Sequence, residues 1–219
     1  MRVGIAHHFG WAVAVTASAG HRVVDRRRIE LVEPGVPAAP VHHDGKPLDD
    51  GAFSALVARV RASALRATAV SLDELAAALP GPVVSVSLRA WPADFPDDLA
   101  VLRRAPYEAR ADSVMYRQVL AEVAGARGWL VHLYDAKDVE AQAARVLGGR
   151  AGEVLRGPRA ALGPPWTKDH RTALAATVLA ALPRAAPDAR SAGSEGDVAV
   201  AASRGCGVGE GSGEGVTGA

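Results

Sequence analysis

One cysteine in 219 residues is too few for an intrachain disulfide or a cysteine-built zinc site, and that one, Cys206, stands in a glycine-rich stretch. Such sparse cysteine agrees with a reducing compartment, so the expected location is the cytoplasm. Long apolar runs are also missing. Although 49% of the residues are hydrophobic, no run reaches the roughly 18 residues that a membrane span needs, and no membrane partner is expected. The chain opens Met1-Arg2-Val3-Gly4-Ile5, which reads directly as a strand. It lacks the charged, apolar and small-residue order of a secretory leader, and none is expected. Lysine is scarce, 3 against 22 arginines. With heavy use of Ala, Gly, Val and Pro, that bias looks like GC-rich coding, so arginine abundance alone carries little functional meaning. Phosphate-binding glycine loops, nucleophile elbows and dinucleotide fingerprints are absent as well, and no cofactor is expected.

What is present suits one α/β domain over residues 1–184 and a tail over 185–219. The tail is rich in Gly, Ser and Glu without periodicity and is expected to be disordered. It holds two basic residues (Arg190, Arg204) against five acidic ones (Asp188, Glu195, Asp197, Glu210, Glu214), a net of −3. Because the whole chain is +1, the body is +4. That excess permits nucleic-acid binding without demanding it.

Three strands open the domain: Val3–Ala6, Trp11–Thr16 and Val23–Val32. Asp25-Arg26-Arg27-Arg28 at the centre of the third is too charged for a central strand and suits an edge. A Pro-rich loop, 34–47, contains His42 and His43. A helix follows from an N-cap at Asp49 or Asp50, with Phe53, Val57, Val60, Ala64, Leu72, Leu75 and Leu79 in steps of three and four. Ser71-Leu72-Asp73-Glu74 fits a capping box, so two helices are the alternative. Val83–Leu88 is the fourth strand, followed by a long loop from Arg89 to Ala111. Asp112 or Ser113 is the expected cap of the next helix, which stops at Gly128. Trp129–Tyr134 is the fifth strand. Asp135 is the expected cap of a helix ending at Gly148, and Thr167 caps a last helix, 168–182.

Three short patches, in order along the chain, resemble the ribonuclease H-like superfamily, and within it the Holliday-junction resolvase branch. Val3-Gly4-Ile5-Ala6 with Gly10-Trp11-Ala12-Val13 looks like the family's first hairpin. Tyr134-Asp135-Ala136-Lys137-Asp138-Val139, with Gly148 later, resembles the segment after the fifth strand. Asp169-His170-Arg171-Thr172-Ala173-Leu174-Ala175 resembles the terminal helix. The resemblance implies a five-stranded mixed sheet in order 3-2-1-4-5, flanked by helices. It also implies a rim at the carboxyl ends of the parallel strands that gathers His7, His8, Arg89, Trp91, Asp135, Lys137, Asp169 and His170.

Nucleases of this family hold two divalent ions on several carboxylates. Here the first-strand acid aligns with Ala6, and the fourth-strand acid falls within Ser85–Ser87. Of the terminal-helix acids Asp169 remains, with Thr172 three residues later. One carboxylate cannot hold two magnesium ions close together. The leading expectation is therefore a pseudo-nuclease that binds a partner, with structured nucleic acid, DNA or RNA, as a candidate and Asp169 its one catalytic candidate. An alternative is an active nuclease with a divalent metal ion on His7, His8, Asp169 and His170, although neighbouring strand residues such as His7 and His8 point to opposite faces. A protein–protein adaptor is the third reading. The expected nucleic-acid contacts are Arg89, Lys137, Arg156, Arg159, Lys168 and Arg171 for phosphate, with Trp91 and Trp166 to stack bases.

Overall fold

The computed structural model describes residues 1–182; the expected disordered tail lies outside the described residues. Strands β1 (Arg2–His7), β2 (Trp11–Ala17) and β3 (Val23–Glu30) form an antiparallel meander. Helix α1 (Asp50–Ala77) leads to β4 (Ser85–Arg89), which pairs parallel with β1. A short α2 (Leu99–Leu102) precedes α3 (Glu108–Ala126), and β5 (Leu130–Tyr134) pairs parallel with β4. Helices α4 (Val139–Leu147), α5 (Ala151–Arg156), α6 (Pro158–Leu162) and α7 (Lys168–Leu179) complete the described residues. The sheet order is β3-β2-β1-β4-β5. It is the mixed order that the ribonuclease H-like resemblance implies, with the arginine-rich strand at an edge.

Strand alternation sends successive side chains to two separate cores. Val3, Ile5, Ala12 and Ala14 meet α1 and α3 on one face. Ala6, Val13, Val15 and Tyr134 meet α4, α5 and α7 on the other. Each fully buried Val or Leu contributes about 1.5–3 kcal/mol relative to exposure. Gly4 sets the closest approach: a Cβ there would lie 1.8 Å from the carbonyl oxygen of Ala173. Alanine or anything larger would push α7 off β1.

Three local expectations are corrected, and the two-helix alternative for α1 is set aside. Helix α1 is continuous, because Ser71 donates its hydroxyl to Glu30 O (2.8 Å) instead of capping a second helix. Its cap is Asp49, which accepts from Ala52 N at 2.8 Å. Helix α3 begins at Glu108, four residues before Asp112, so neither Asp112 nor Ser113 is its cap. Asp112 is 1% exposed and instead accepts the N–H groups of Val41 (3.0 Å) and His42 (2.9 Å). It thereby fastens a single π-helical turn, Pro40–Asp44, inside the proline-rich loop. Asp135 does not cap α4, whose cap position is Asp138; its carboxylate accepts from Lys137 N (2.8 Å) in the turn before the helix. The terminal helix stops at Leu179, short of 182.

Candidate functional site

Because β1, β4 and β5 run parallel, their carboxyl ends place His7, Arg89 and Tyr134 along one rim. Open α/β sheets bind ligands at such an edge. Helix α3 adds Ser113 and Arg117, and the start of α7 adds Asp169. Tyr134 donates its hydroxyl to Ile5 O (2.8 Å), which ties β5 to β1 across β4.

Arg117 is the unusual group. It is 6% exposed, yet among the described residues its hydrogen-bond partners are neutral oxygens: Ser113 O (2.9 Å), Ser113 Oγ (3.2 Å) and Ala90 O (2.6 Å), with Arg89 O at 3.5 Å. Burial, and then the charge of Arg89, lowers its pKa to about 10. A buried guanidinium without a carboxylate leaves a net positive field in a water-poor place, where charge acts over a longer reach. That field is felt at His7, whose pKa falls to about 3, first by burial and then by Arg117, Arg89 and His8. His7 is therefore a neutral imidazole at neutral pH. Its Nε2 lies 3.0 Å from Ser113 Oγ. Since Arg117 already donates to that oxygen, the hydroxyl is free to donate its own proton to Nε2.

The expected site residues divide. His8 Nε2 meets Asp169 Oδ2 at 3.1 Å, and both are over a third exposed. The His8 ring stacks on Trp11 at 4.2 Å between centroids, tilted by 11°. His7 instead turns to the α3 side of the sheet, as strand alternation requires. His170 is buried, and its Nδ1 accepts from Thr167 N (3.2 Å) and lies 2.9 Å from Thr167 Oγ1, in a capping box at the start of α7. The proposed four-ligand set is therefore not brought together. Among the described residues, no group of three or more His, Cys, Asp or Glu side chains is placed to hold a metal ion. Where the family's acids were expected, Ala6 packs in the core beneath α7, and Ser87 donates its hydroxyl to Ala176 O at 3.3 Å.

Among the expected nucleic-acid contacts, Arg89, Lys137 and Lys168 are exposed at or beside the rim. Trp91 is half-buried against the core, with the Arg117 guanidinium 6.0 Å from its ring centre. Trp166 cannot stack a base, because it is 7% exposed and its Nε1 donates to Leu155 O (3.1 Å). Arg171 is taken up by Glu140, 3.2 Å away. Arg156 and Arg159 lie on α5 and α6, which flank the β2–β3 turn at the other end of the sheet. The triplet on β3 is likewise occupied: Arg27 pairs with Asp25 and Arg28 with Glu30, each at 2.7 Å. Arg117 and Ser113 were missed as site residues. The available signal was a charge placed three residues after Val114 and three before Leu120, within the apolar face of the helix.

Solved structures similar to this chain include two of RuvC. One is RuvC of T. thermophilus in complex with Holliday junction substrate, at 12% identity and a TM-score of 0.46, over 81% of this chain and 89% of that one. The other is a Thermus thermophilus RuvC structure, at 17% identity and a TM-score of 0.41, over 81% of this chain and 90% of that one. No protein-family model and no curated protein matches the sequence. None of the described helices is long and apolar enough to cross a membrane.

Proposed function

We propose that this chain is a non-catalytic protein with a ribonuclease H-like sheet, which binds nucleic acid by holding phosphate at the rim of β1, β4 and β5. The observation that carries this reading is Arg117, a buried cation without a carboxylate, set behind the exposed Arg89 where a nuclease of this kind needs clustered acids. A phosphate oxygen at Arg89 would meet the positive field of both guanidinium groups and a neutral His7, and Lys137 and Lys168 would extend the track. The His8–Asp169 pair favours a second reading, a nuclease with rearranged ligands, because it presents an imidazole and a carboxylate together at the surface.

Binding of four-way-junction, duplex and single-stranded DNA and RNA across about 50–200 mM salt tests the proposal, since each phosphate contact adds to the slope of affinity against salt. Affinity should fall steeply with salt. Arg89→Glu should weaken binding at least tenfold and reduce the slope by about one. Absence of salt-dependent binding would overturn the reading and leave a protein–protein adaptor. Cleavage with Mg²⁺ or Mn²⁺ that disappears in Asp169→Asn would establish the nuclease instead.

A further inference from the structure

At the end of the sheet away from the rim, the β2–β3 turn and the α5–α6 segment border an open pocket of about 640 Å³. That volume falls in the range of small-molecule sites, about 300–1,000 Å³. Val23, Val154 and Leu162 give it an apolar wall, and His21, Arg22 and Arg150 a basic mouth; Glu153 is its one acidic lining residue. Among the described residues, neither Arg22 nor Arg150 makes an ion pair. A third cation stands behind them: Arg2 donates to Ala19 O (3.0 Å) and shapes the turn.

His21 is the informative residue. Its φ is 66°, and it is the only non-glycine residue with positive φ among the described residues. An L-residue is strained in that region. Its Nδ1 is also buried without a hydrogen-bond partner. Its backbone N–H closes the turn on Ser18 O (3.0 Å), but that bond asks nothing of the imidazole, whose unpartnered Nδ1 is left to meet a ligand. Such strain persists where the surroundings enforce it, and it gathers at ligand sites. Burial, and then the nearby charges of Arg2 and Arg150, also push its pKa below the ordinary value.

We infer that this pocket binds a small organic anion, with its carboxylate or phosphate head held by Arg22 and Arg150 beside His21 and its apolar body laid along Val23, Val154 and Leu162. The inference is independent of the rim reading, because the two places lie at opposite ends of the sheet.

The test is an amide-resolved NMR titration of the full chain with 2-naphthoate and with 2-naphthyl phosphate. Inorganic phosphate and the neutral 2-naphthalenemethanol serve as controls. Saturable, one-to-one binding of at least one anion is expected, with shifts confined to residues 20–23 and 150–162; the tighter of the two identifies the preferred head. Each control should bind at least tenfold more weakly, because it lacks either the apolar body or the charge. Arg150→Glu should weaken binding about tenfold or more, and Ala161→Phe, which fills the pocket, should abolish it. His21→Gly separates function from folding: it releases the strain, so the melting temperature should hold or rise while affinity falls. Arg89→Glu at the rim should leave anion binding unchanged. Shifts centred elsewhere, no saturable binding, or affinities unmoved by both Arg150→Glu and Ala161→Phe would overturn the inference.

Discussion

Burial and the guanidinium groups of Arg117 and Arg89 bring the pKa of His7 down from 6.5 to about 3, which makes the fold acid-sensitive in a defined direction. The unfolded chain takes up a proton near 6.5 that the folded chain refuses, so the contribution is fully present above pH 6.5. It drains away as pH falls toward 3. His7→Gln removes this titration while keeping a polar group opposite Ser113. Urea unfolding at pH 7 and pH 5 should show a larger loss for the wild type than for the variant; equal losses would refute the assignment. His170, also lowered by burial, is present in both proteins and cancels. Asp112 has the opposite sign: burial raises its pKa, so ionising it costs stability as pH rises above the ordinary carboxylate range. Its two backbone hydrogen bonds still need two acceptor oxygens. Asp112→Asn turns one of them into a donor facing an N–H group, and the urea midpoint at pH 7 should fall by the equivalent of about 1–3 kcal/mol.

Among the elements, the contact between β1 and α7 is the tightest constraint. Gly4→Ala sets a methyl group against the Ala173 carbonyl, and overpacking of this kind typically costs about 1–3 kcal/mol, more where backbone must move. The melting temperature of that variant should drop sharply; a value near wild type would mean that α7 can slide along the strand. The five strands were legible from apolar patterning, turn residues and the charged edge strand, and their order from the resemblance to the ribonuclease H-like superfamily. Boundaries of α3 and α4 were not. Asp112 and Asp135 both have the chemistry of helix caps, and sequence does not say that one reaches across to a distant loop while the other shapes a turn. The single span of α1 was legible from its apolar steps; the two-helix alternative falls because Glu30 O, 41 positions away, claims the Ser71 hydroxyl that would have capped a second helix.

At the scale of the whole domain, the two ends of the sheet differ in character, and sequence disclosed one of them. The rim was expected from the resemblance, and so was the absence of acids at Ala6 and Ser85–Ser87, where that family carries them. Two tryptophans and an arginine expected to contact nucleic acid were not resolvable in that way, because burial of Trp166, half-burial of Trp91 and capture of Arg171 by Glu140 depend on contacts between distant segments. The pocket beside His21 arises from the same kind of long-range meeting. One such meeting bears on kinetics. Arg26, on the edge strand, donates to the carbonyl oxygens of Leu162, Gly163, Pro164 and Pro165, across 136 to 139 positions of chain. Closing so large a loop is slow, so an early meander must wait for the C-terminal third before this clasp can form. Bonds made after the folding barrier act on the rate of leaving the native state. In stopped-flow unfolding and refolding, Arg26→Met should hasten unfolding while leaving refolding nearly untouched. The arginine at the sheet's edge would then be what makes the folded protein last, with no part in how fast it forms.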